Sequence, residues 1–197
     1  MNNIAIVTIF TYLIFCILFF IIKYLVIDND TNYPNTSWIK SFCAFSFFIY
    51  FIQNTYYSTI NSSDTTKCSI SFTTIILSSL IPLIFILFPI IFLVVILEWD
   101  YIFTNTIGYS ITQKLFDDKI NTYIHSKTYD EIKDFKQINM LLNKERIGPI
   151  TDHDHKKLLN EFKKKKNIGY FMWFMMAGIV SSLASANTIL LQDCIIE

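Results

Sequence analysis

The sequence predicts an all-α integral membrane protein: four transmembrane helices, with a small helical extramembrane domain between the third and the fourth. Of the 197 residues, 53% are hydrophobic and 17% aromatic, which is too apolar for a small soluble domain. The charged residues are also unevenly placed. Residues 98–167 hold thirteen of the sixteen Lys and Arg residues and eleven of the sixteen acidic residues. The remainder of the chain carries few charged residues and is therefore suited to the interior of a bilayer.

The first apolar run, residues 4–27, predicts the first span. Thr8, Thr11 and Lys23 alone interrupt it, and at about 1.5 Å per residue it crosses roughly 30 Å of hydrocarbon. Lys23 lies one turn from the end, where its ammonium group can extend to the membrane surface.

The second run predicts a span less directly. It is strictly apolar, apart from one serine, only over residues 42–52. Extended to residues 38–60 it reaches spanning length, and Trp38 and Tyr57 near its two ends form an aromatic belt. We interpret 38–60 as a span; the alternative is an interfacial or packed helix.

The third run, residues 70–97, is long and apolar and predicts a span with two mild kinks. Pro82 and Pro89 lie seven residues apart on one face, and each removes a backbone hydrogen-bond donor. We interpret both prolines as structural, because neighbouring helices can satisfy the freed carbonyl groups. Trp99 then anchors the end of the span at the membrane surface.

Residues 98–167 predict a polar helical domain on the cytoplasmic side. Thr151, with Asp154 three residues later, is typical of a capping box that begins a helix. Leu158 contributes to an apolar stripe on that helix. We expect the helix to end at Lys163–Lys166, beside the membrane and its anionic headgroups.

The fourth run, residues 168–191, precedes a short tail, 192–197, and is rich in small residues. Small residues let transmembrane helices approach closely, and here they repeat every fourth position along two adjacent ridges. We expect these ridges to pack against another helix, either within the chain or in a second copy. The two ridges are Ala177, Ser181 and Ser185, and Gly178, Ser182 and Ala186.

The basic residues favour four spans over three. With four spans, Lys23 and Lys40 share a face with the polar domain, so fifteen of the sixteen basic residues lie on one side, which the positive-inside rule makes cytoplasmic. Cys68 and Cys194 then share the opposite face. They are candidates for a disulfide bond, and the alternative is two unrelated thiols.

No residue pattern points to catalysis, a cofactor or a metal. His153 and His155 alternate with aspartates, but a spacing of two at a helix start directs the rings apart. The sequence has no zincin, redox, hydrolase or phosphate-loop motif, and no acid inside a predicted span for an ion relay. A formal net charge of +0 gives no argument for a nucleic-acid partner. The classes of function that remain are scaffolding, membrane shaping and a pore built by oligomerisation.

Residues 98–109 resemble the signature G-W-x-x-x-F-S-N-T-F-G-Y, with Glu98, Thr104 and Ile107 as departures. That signature belongs to the multispanning virion membrane proteins of the nucleocytoplasmic large DNA viruses of algae and amoebae, which the chain therefore resembles. The closing segment is similar too, except for Ala186 where tyrosine is usual, and the likeness covers the chain from about Cys68 onward. The matching residues are Trp99, Phe103, Asn105, Thr106, Gly108, Tyr109, Trp173, Gly178, Ser182, Asn187 and Cys194.

The resemblance implies a non-enzymatic minor capsid protein in the internal membrane of an icosahedral virion, derived from host endomembrane. Its expected partners are the lipid bilayer, the capsid protein, other minor capsid proteins and a second copy of itself, with no cofactor. It also favours the bond between Cys68 and Cys194.

Two other functions stay open at this point. The first is a viroporin-like channel, an oligomer whose pore is lined by the serines of the fourth span. The second is an organelle-membrane protein that handles lipid or trafficking. For the signature itself we expect Asn105 or Thr106 to cap the first helix of the polar domain. We expect Gly108 to let that helix approach another backbone closely.

Overall fold

The computed structural model is all-helical: of the residues that it describes, 89% are helical and none forms a strand. It describes residues 2–23, 38–64, 70–111, 120, 123, 127 and 129–191. The chain divides into two compact units. Unit 1 comprises Met1–Trp99 and Phe171–Glu197, and unit 2 comprises Asp100–Tyr170.

Unit 1 begins with two long helices that run in opposite directions. They are α1, Asn2–Ile22, and α2, Trp38–Asp64. The Thr8 hydroxyl of α1 lies 2.6 Å from the Tyr57 hydroxyl near the end of α2. At the opposite end, the Lys23 ammonium lies 4.7 Å from the ring centroid of Trp38. The two helices therefore accompany each other along their whole length.

The third helical run of unit 1 changes its hydrogen-bond pattern after each proline. The stretches after Pro82 and Pro89 are π-helical, and the Phe88 amide donates to the Leu83 carbonyl five residues back. A proline has no N–H for the usual i−4 bond, which accounts for the local shift of pattern. The segments are α3, Phe72–Pro82; a π turn, Leu83–Leu87; α4, Phe88–Ile91; and a second π turn, Phe92–Ile96.

This run ends at a residue in a left-handed conformation. Glu98 has φ of 55°, and the Trp99 amide donates to the Leu93 carbonyl at 3.2 Å. This bond spans one residue more than the bond of a Schellman motif, because the helix ends in a π turn, but both motifs place a left-handed residue where glycine is usual. The helix therefore ends in a conformation that costs a glutamate more than a glycine.

Unit 2 begins with a helical run from Tyr101 to Ile111 that includes a π turn. Its three segments are α5, Tyr101–Phe103; the π turn, Thr104–Gly108; and α6, Tyr109–Ile111. Further along, the described residues include α7, Tyr129–Ile132, and α8, Phe135–Lys144. The Asp134 side chain caps α8, since it accepts from the Lys136 and Gln137 amides.

An aliphatic core holds unit 2 together, with partly buried Phe135, Leu159 and Phe162 packed around it. The amphipathic α8 contributes two of its members and the first turns of the last helix one. All five are at most 8% exposed: Ile132, Ile138, Leu142, Ile150 and Leu158.

The last helix, α9, runs from Asp152 to Leu190 without a break. The predicted capping box at its start is confirmed, because the Asp154 amide donates to the Thr151 hydroxyl oxygen at 3.2 Å. The expectation that this helix ends at Lys163–Lys166 is wrong. Lysine is a good helix former, and Gly169 alone costs a helix only about 1 kcal/mol, so nothing in this stretch stops it.

Three described helical runs are long and apolar enough to cross a membrane: Ile4–Ile22, Phe72–Ile96 and α9. This identifies the chain as a candidate membrane protein. At 27 residues α2 is long enough, but it is not among these runs. The polar residues in its second half, beginning at Gln53, account for that.

Candidate functional site

The interior of unit 1 is a network of polar side chains. We call these residues the polar network, and they come from α1, α2, α3 and α9. Each is at most 6% exposed, although the helices that carry them are largely apolar. Its members are Thr8, Tyr12, Ser46, Tyr50, Gln53, Asn54, Tyr57, Ser78, Ser79, Ser182 and Ser185.

Asn54 joins three helices at the centre of the polar network. Its amide nitrogen donates to Ser79 and Ser185 at 2.8 Å each and lies 3.2 Å from the Ser78 hydroxyl. Ser78 and Ser79 both donate their own protons to the Ile75 carbonyl, so their oxygens are free to accept. Asn54 thus ties α2 to α3 and α9.

Gln53, the neighbour of Asn54, connects α2 to α1 and makes a second connection to α9. The Ser182 hydroxyl donates to Gln53 Oε1 at 2.8 Å, and Gln53 Nε2 donates to the Thr8 carbonyl at 3.4 Å. The Thr8 hydroxyl also lies 2.9 Å from the Ile4 carbonyl. The side chains of Gln53 and Asn54 together therefore reach every other helix of unit 1.

Two tyrosines extend the polar network along the bundle. The Tyr12 and Ser46 hydroxyls are 3.0 Å apart, and the Tyr50 hydroxyl donates to the Gly178 carbonyl at 3.1 Å. A Cβ atom added to Gly178 would collide with the ring of Tyr12. Glycine is therefore required here for α1 and α9 to approach each other closely.

Aromatic rings fill the next level of the bundle. Phe174 of α9 lies 5.3 Å from Phe42 and 5.5 Å from Trp38, measured between ring centroids. The Lys23 side chain is 2% exposed and lies against the Trp38 ring. Such a contact stabilises a cation that has partly lost its hydration.

The polar network consists of hydroxyl, amide and carbonyl groups, and carries neither a carboxylate nor an ammonium group. Its hydrogen bonds run between helices, each such bond in a membrane protein contributing about 0.6 kcal/mol on average. Most of its donors and acceptors are used by one another. The arrangement therefore suits helix association rather than acid–base chemistry or ion transfer.

The segment that matches the viral signature packs tightly within unit 2. Asp100, Thr104 and Gly108, four residues apart, are all buried. A Cβ atom on Gly108 would lie 2.7 Å from the Lys165 carbonyl oxygen, and one on Gly169 would collide with the Thr104 side chain. The backbones of the two helical segments approach each other closely at these points, which requires small residues on both segments.

Asp100 anchors this packing with its carboxylate. It accepts from the Thr104 hydroxyl at 3.1 Å and lies 3.8 Å from the Lys166 ammonium. Beside it, Lys165 is buried near the rings of Tyr109 and Phe162. Burial lowers the pKa of Lys165 to about 8.

The cap hypothesis for the signature is wrong. Asn105 and Thr106 lie inside the π turn, several residues after the helical run begins, and the Thr106 hydroxyl donates back to the Ile102 carbonyl. Phe103 is partly buried and Trp99 is 45% exposed. The Trp173 indole donates to the Trp99 carbonyl at 3.2 Å, which holds the end of the third run against α9.

The small residues of the fourth run face the interior of unit 1. Both ridges are buried, including Ala177, Ser181 and Gly178. Asn187 is exposed. Cys68 and Cys194 lie outside the described residues.

His153 and His155, the two histidines near the start of α9, are placed differently. His155 is buried, with its Nε2 atom 2.7 Å from the Ile132 carbonyl oxygen, and its ring centroid is 5.4 Å from that of Phe135. His153 is exposed. Within the described residues, no group of three His, Cys, Asp or Glu side chains is placed to hold a metal.

Sequence reasoning missed the polar network, although a signal for it was present. Tyr50, Asn54 and Tyr57 recur at helical spacing along one face of α2, and polar residues at that spacing in an apolar run indicate an interhelical seam.

Comparison of the chain with protein-family models, with curated proteins and with solved structures finds no match. The interpretation of its function therefore depends on its own residues.

Proposed function

We propose that the chain is a non-enzymatic membrane scaffold: a four-helix bundle that crosses the bilayer four times and holds unit 2 at one membrane surface. The observation that carries this proposal is the polar network. It uses buried polar side chains of four described helices to bind these helices to one another, and so it supports a closed bundle.

The contacts of α2 support a fourth crossing. Its first residue, Trp38, packs against Phe19 of α1 and Phe174 of α9. Near its other end, Tyr57 clusters with Ile189 and bonds to the Ile4 carbonyl. The helix therefore runs beside two apolar helices from one end to the other, and its polar side chains are covered by them.

The same contacts support a common side for the basic residues. Trp99 and Phe171, where the chain leaves and re-enters unit 1, belong to the end of the bundle that holds Lys23 and Trp38. Fifteen of the sixteen basic residues then lie on one side of the membrane. By the positive-inside rule we assign this side to the cytoplasm.

Site-specific labelling tests the four crossings. We would replace the four native cysteines and introduce Lys40→Cys, Ser71→Cys or Lys133→Cys, then apply a maleimide that cannot pass the membrane. We expect reaction at positions 40 and 133 from one side, and at position 71 from the other. Reaction at positions 40 and 71 from the same side would show that α2 does not cross.

The buried ridges favour a scaffold over a channel. A viroporin-like pore would need Ser181, Ser182 and Ser185 to face a lumen shared between copies, whereas all three are at most 1% exposed inside one copy. Lining a pore with them would break the bonds that Ser182 and Ser185 make to α2.

We further propose that the membrane is the internal membrane of a virion and that unit 2 links it to the capsid shell. The support is the resemblance of residues 98–109 to the viral signature. The left-handed Glu98 occupies the position at which that signature carries glycine, which gives the signature residue a physical reason. The close packing of Gly108 against α9 explains why a second position of the signature carries glycine.

Crosslinking with mass spectrometry on purified particles tests the capsid link. We expect exposed lysines of unit 2, such as Lys133, Lys144 and Lys157, to be linked to capsid or minor capsid proteins. Abundant chain linked only to further copies of itself would contradict the scaffold and favour the oligomeric channel.

A further inference from the structure

A groove of about 350 Å³ opens on the outside of unit 1 between the first turns of α1 and the last turns of α9. Five of its lining residues are apolar: Ala5, Leu183, Ala184, Ala186 and Leu190. The groove carries no charged residue. Thr8 and Asn187 are its two polar side chains.

The two polar side chains differ in what they offer to a ligand. The Thr8 hydroxyl is already engaged by the Ile4 carbonyl and the Tyr57 hydroxyl. Asn187 is exposed, and its amide makes no hydrogen bond within the described part of the chain. An amide at the rim of an apolar groove presents two donors and one acceptor to whatever occupies the groove.

The position of the groove along α1 corresponds to a particular depth in a bilayer. The apolar part of α1 is Ile4–Ile22, and Ala5 and Thr8 lie within about 6 Å of its first residue. If this stretch spans the hydrocarbon, the groove starts at the level of the glycerol esters and extends inward. This step rests on the proposed four-span arrangement.

We propose that this groove binds one acyl chain of a glycerophospholipid, with the Asn187 amide donating to the ester carbonyl of that chain. The uncharged lining suits a hydrocarbon chain, and the one uncommitted polar side chain lies at the depth where such a chain becomes polar.

Photolabelling tests the proposal on the full chain in phosphatidylcholine nanodiscs. A small fraction of the lipid would carry a diazirine on its acyl chain, and labelled peptides would be identified by mass spectrometry. We expect labelling to concentrate on residues 183–190 and 5–8. Ala184→Phe fills the groove and should reduce this labelling roughly tenfold, the size expected for overpacking a formed site.

Matched variants separate the groove from the general lipid-facing surface. Ala44→Phe makes the same substitution at an exposed position of α2 and should leave the groove labelling unchanged. Asn187→Leu should lower it roughly fivefold, as expected for one lost hydrogen bond. Should Ala184→Phe fail to fold, Ala5→Phe fills the same groove from α1.

Three results would overturn the proposal. Even labelling over all exposed helix faces, insensitive to Ala184→Phe, would reduce the groove to ordinary lipid contact and leave the four spans intact. Crosslinks between two copies through residues 183–190 would assign the groove to a second copy. Absence of labelling from every helix would overturn the membrane arrangement as well.

Discussion

The two units differ in what they bury and what they expose. In unit 1, Asn54 and Ser79 are fully buried beside the aromatic rings, while Phe85 is 73% exposed. In unit 2, Ile138 and Leu142 are fully buried, and charged residues such as Lys133 are exposed. Unit 2 has the surface of a domain in water. The surface of unit 1 is apolar instead.

The difference agrees with the proposed surroundings of the two units, lipid for unit 1 and water for unit 2. In water, aliphatic side chains associate because their burial removes apolar surface from the solvent. In lipid that gain disappears, so helices need close packing and interhelical hydrogen bonds instead. The polar network and Gly178 supply both in unit 1, and five aliphatic residues supply the core of unit 2.

The largest expected effect contrasts the same substitution in the two units. Leu142→Ala in the core of unit 2 should lower the free energy of unfolding by about 2–5 kcal/mol, through lost burial and a cavity. Leu77→Ala on the exposed face of α3 should change it by less than about 0.5 kcal/mol. Denaturant titration of the chain in micelles measures both, and equal effects would abolish the contrast.

Close packing in unit 1 is tested by enlarging its glycine. Gly178→Val places a branched side chain against the Tyr12 ring and should cost about 2–3 kcal/mol. Ala44→Val, at an exposed position, is the matched control and should be neutral. Adding Tyr12→Leu should recover part of the lost free energy of unfolding, because it makes room for the valine. If nothing is recovered, the contact with Tyr12 is not the source of the strain.

The polar network should contribute a moderate amount of stability. Asn54→Leu removes three interhelical contacts but leaves Ser78 and Ser79 bonded to the Ile75 carbonyl. We therefore expect a cost of only about 1–2 kcal/mol. Thr55→Val, on the exposed side of α2, is the control. If Asn54→Leu costs no more than the control, the polar network does not stabilise unit 1.

A stabilising substitution is expected at the end of the third run. Glu98→Gly relieves a left-handed residue and should raise the free energy of unfolding by about 1 kcal/mol. Arg146, with φ of 57°, ends α8 in the same way and offers Arg146→Gly as the counterpart in unit 2. A loss of stability in Glu98→Gly would indicate that the glutamate side chain itself is needed.

The last expected effect depends on pH. Lys165, outside the proposed span 168–191, releases its proton near pH 8 in the folded unit and near 10.5 in the unfolded chain. Between these values the unfolded state binds more protons, so the stability of unit 2 should rise with pH. Lys165→Met should remove that slope. Thermal unfolding from pH 7 to 10.5 compares the two, and parallel profiles would contradict the assignment.

The sequence predicted the helical class and the apolar runs well, because hydropathy and helix length are local properties. Thr151 and Asp154 also predicted a cap correctly, since a cap involves residues three apart. The continuity of α9 through Lys163–Lys166 was missed. A change from polar to apolar surroundings is visible in a sequence, but it does not by itself end a helix.

The polar network required information that a single sequence lacks. Gln53 and Asn54 weaken the apolar pattern of α2, and by themselves they argue against a span. Their partners on α9 lie 129 and 131 residues further along the chain. A pairing over that separation is decided by tertiary packing and cannot be derived from periodicity.

That separation has a consequence for biosynthesis. The ribosome adds about 5–20 residues per second, so Asn54 emerges many seconds before Ser185, the partner that completes its bonds. Until then α2 carries a glutamine and an asparagine whose α9 partners have not been made. Nascent chains truncated before Ser182 should therefore be retained by insertion factors and degraded, whereas completion of the last helix releases a closed bundle.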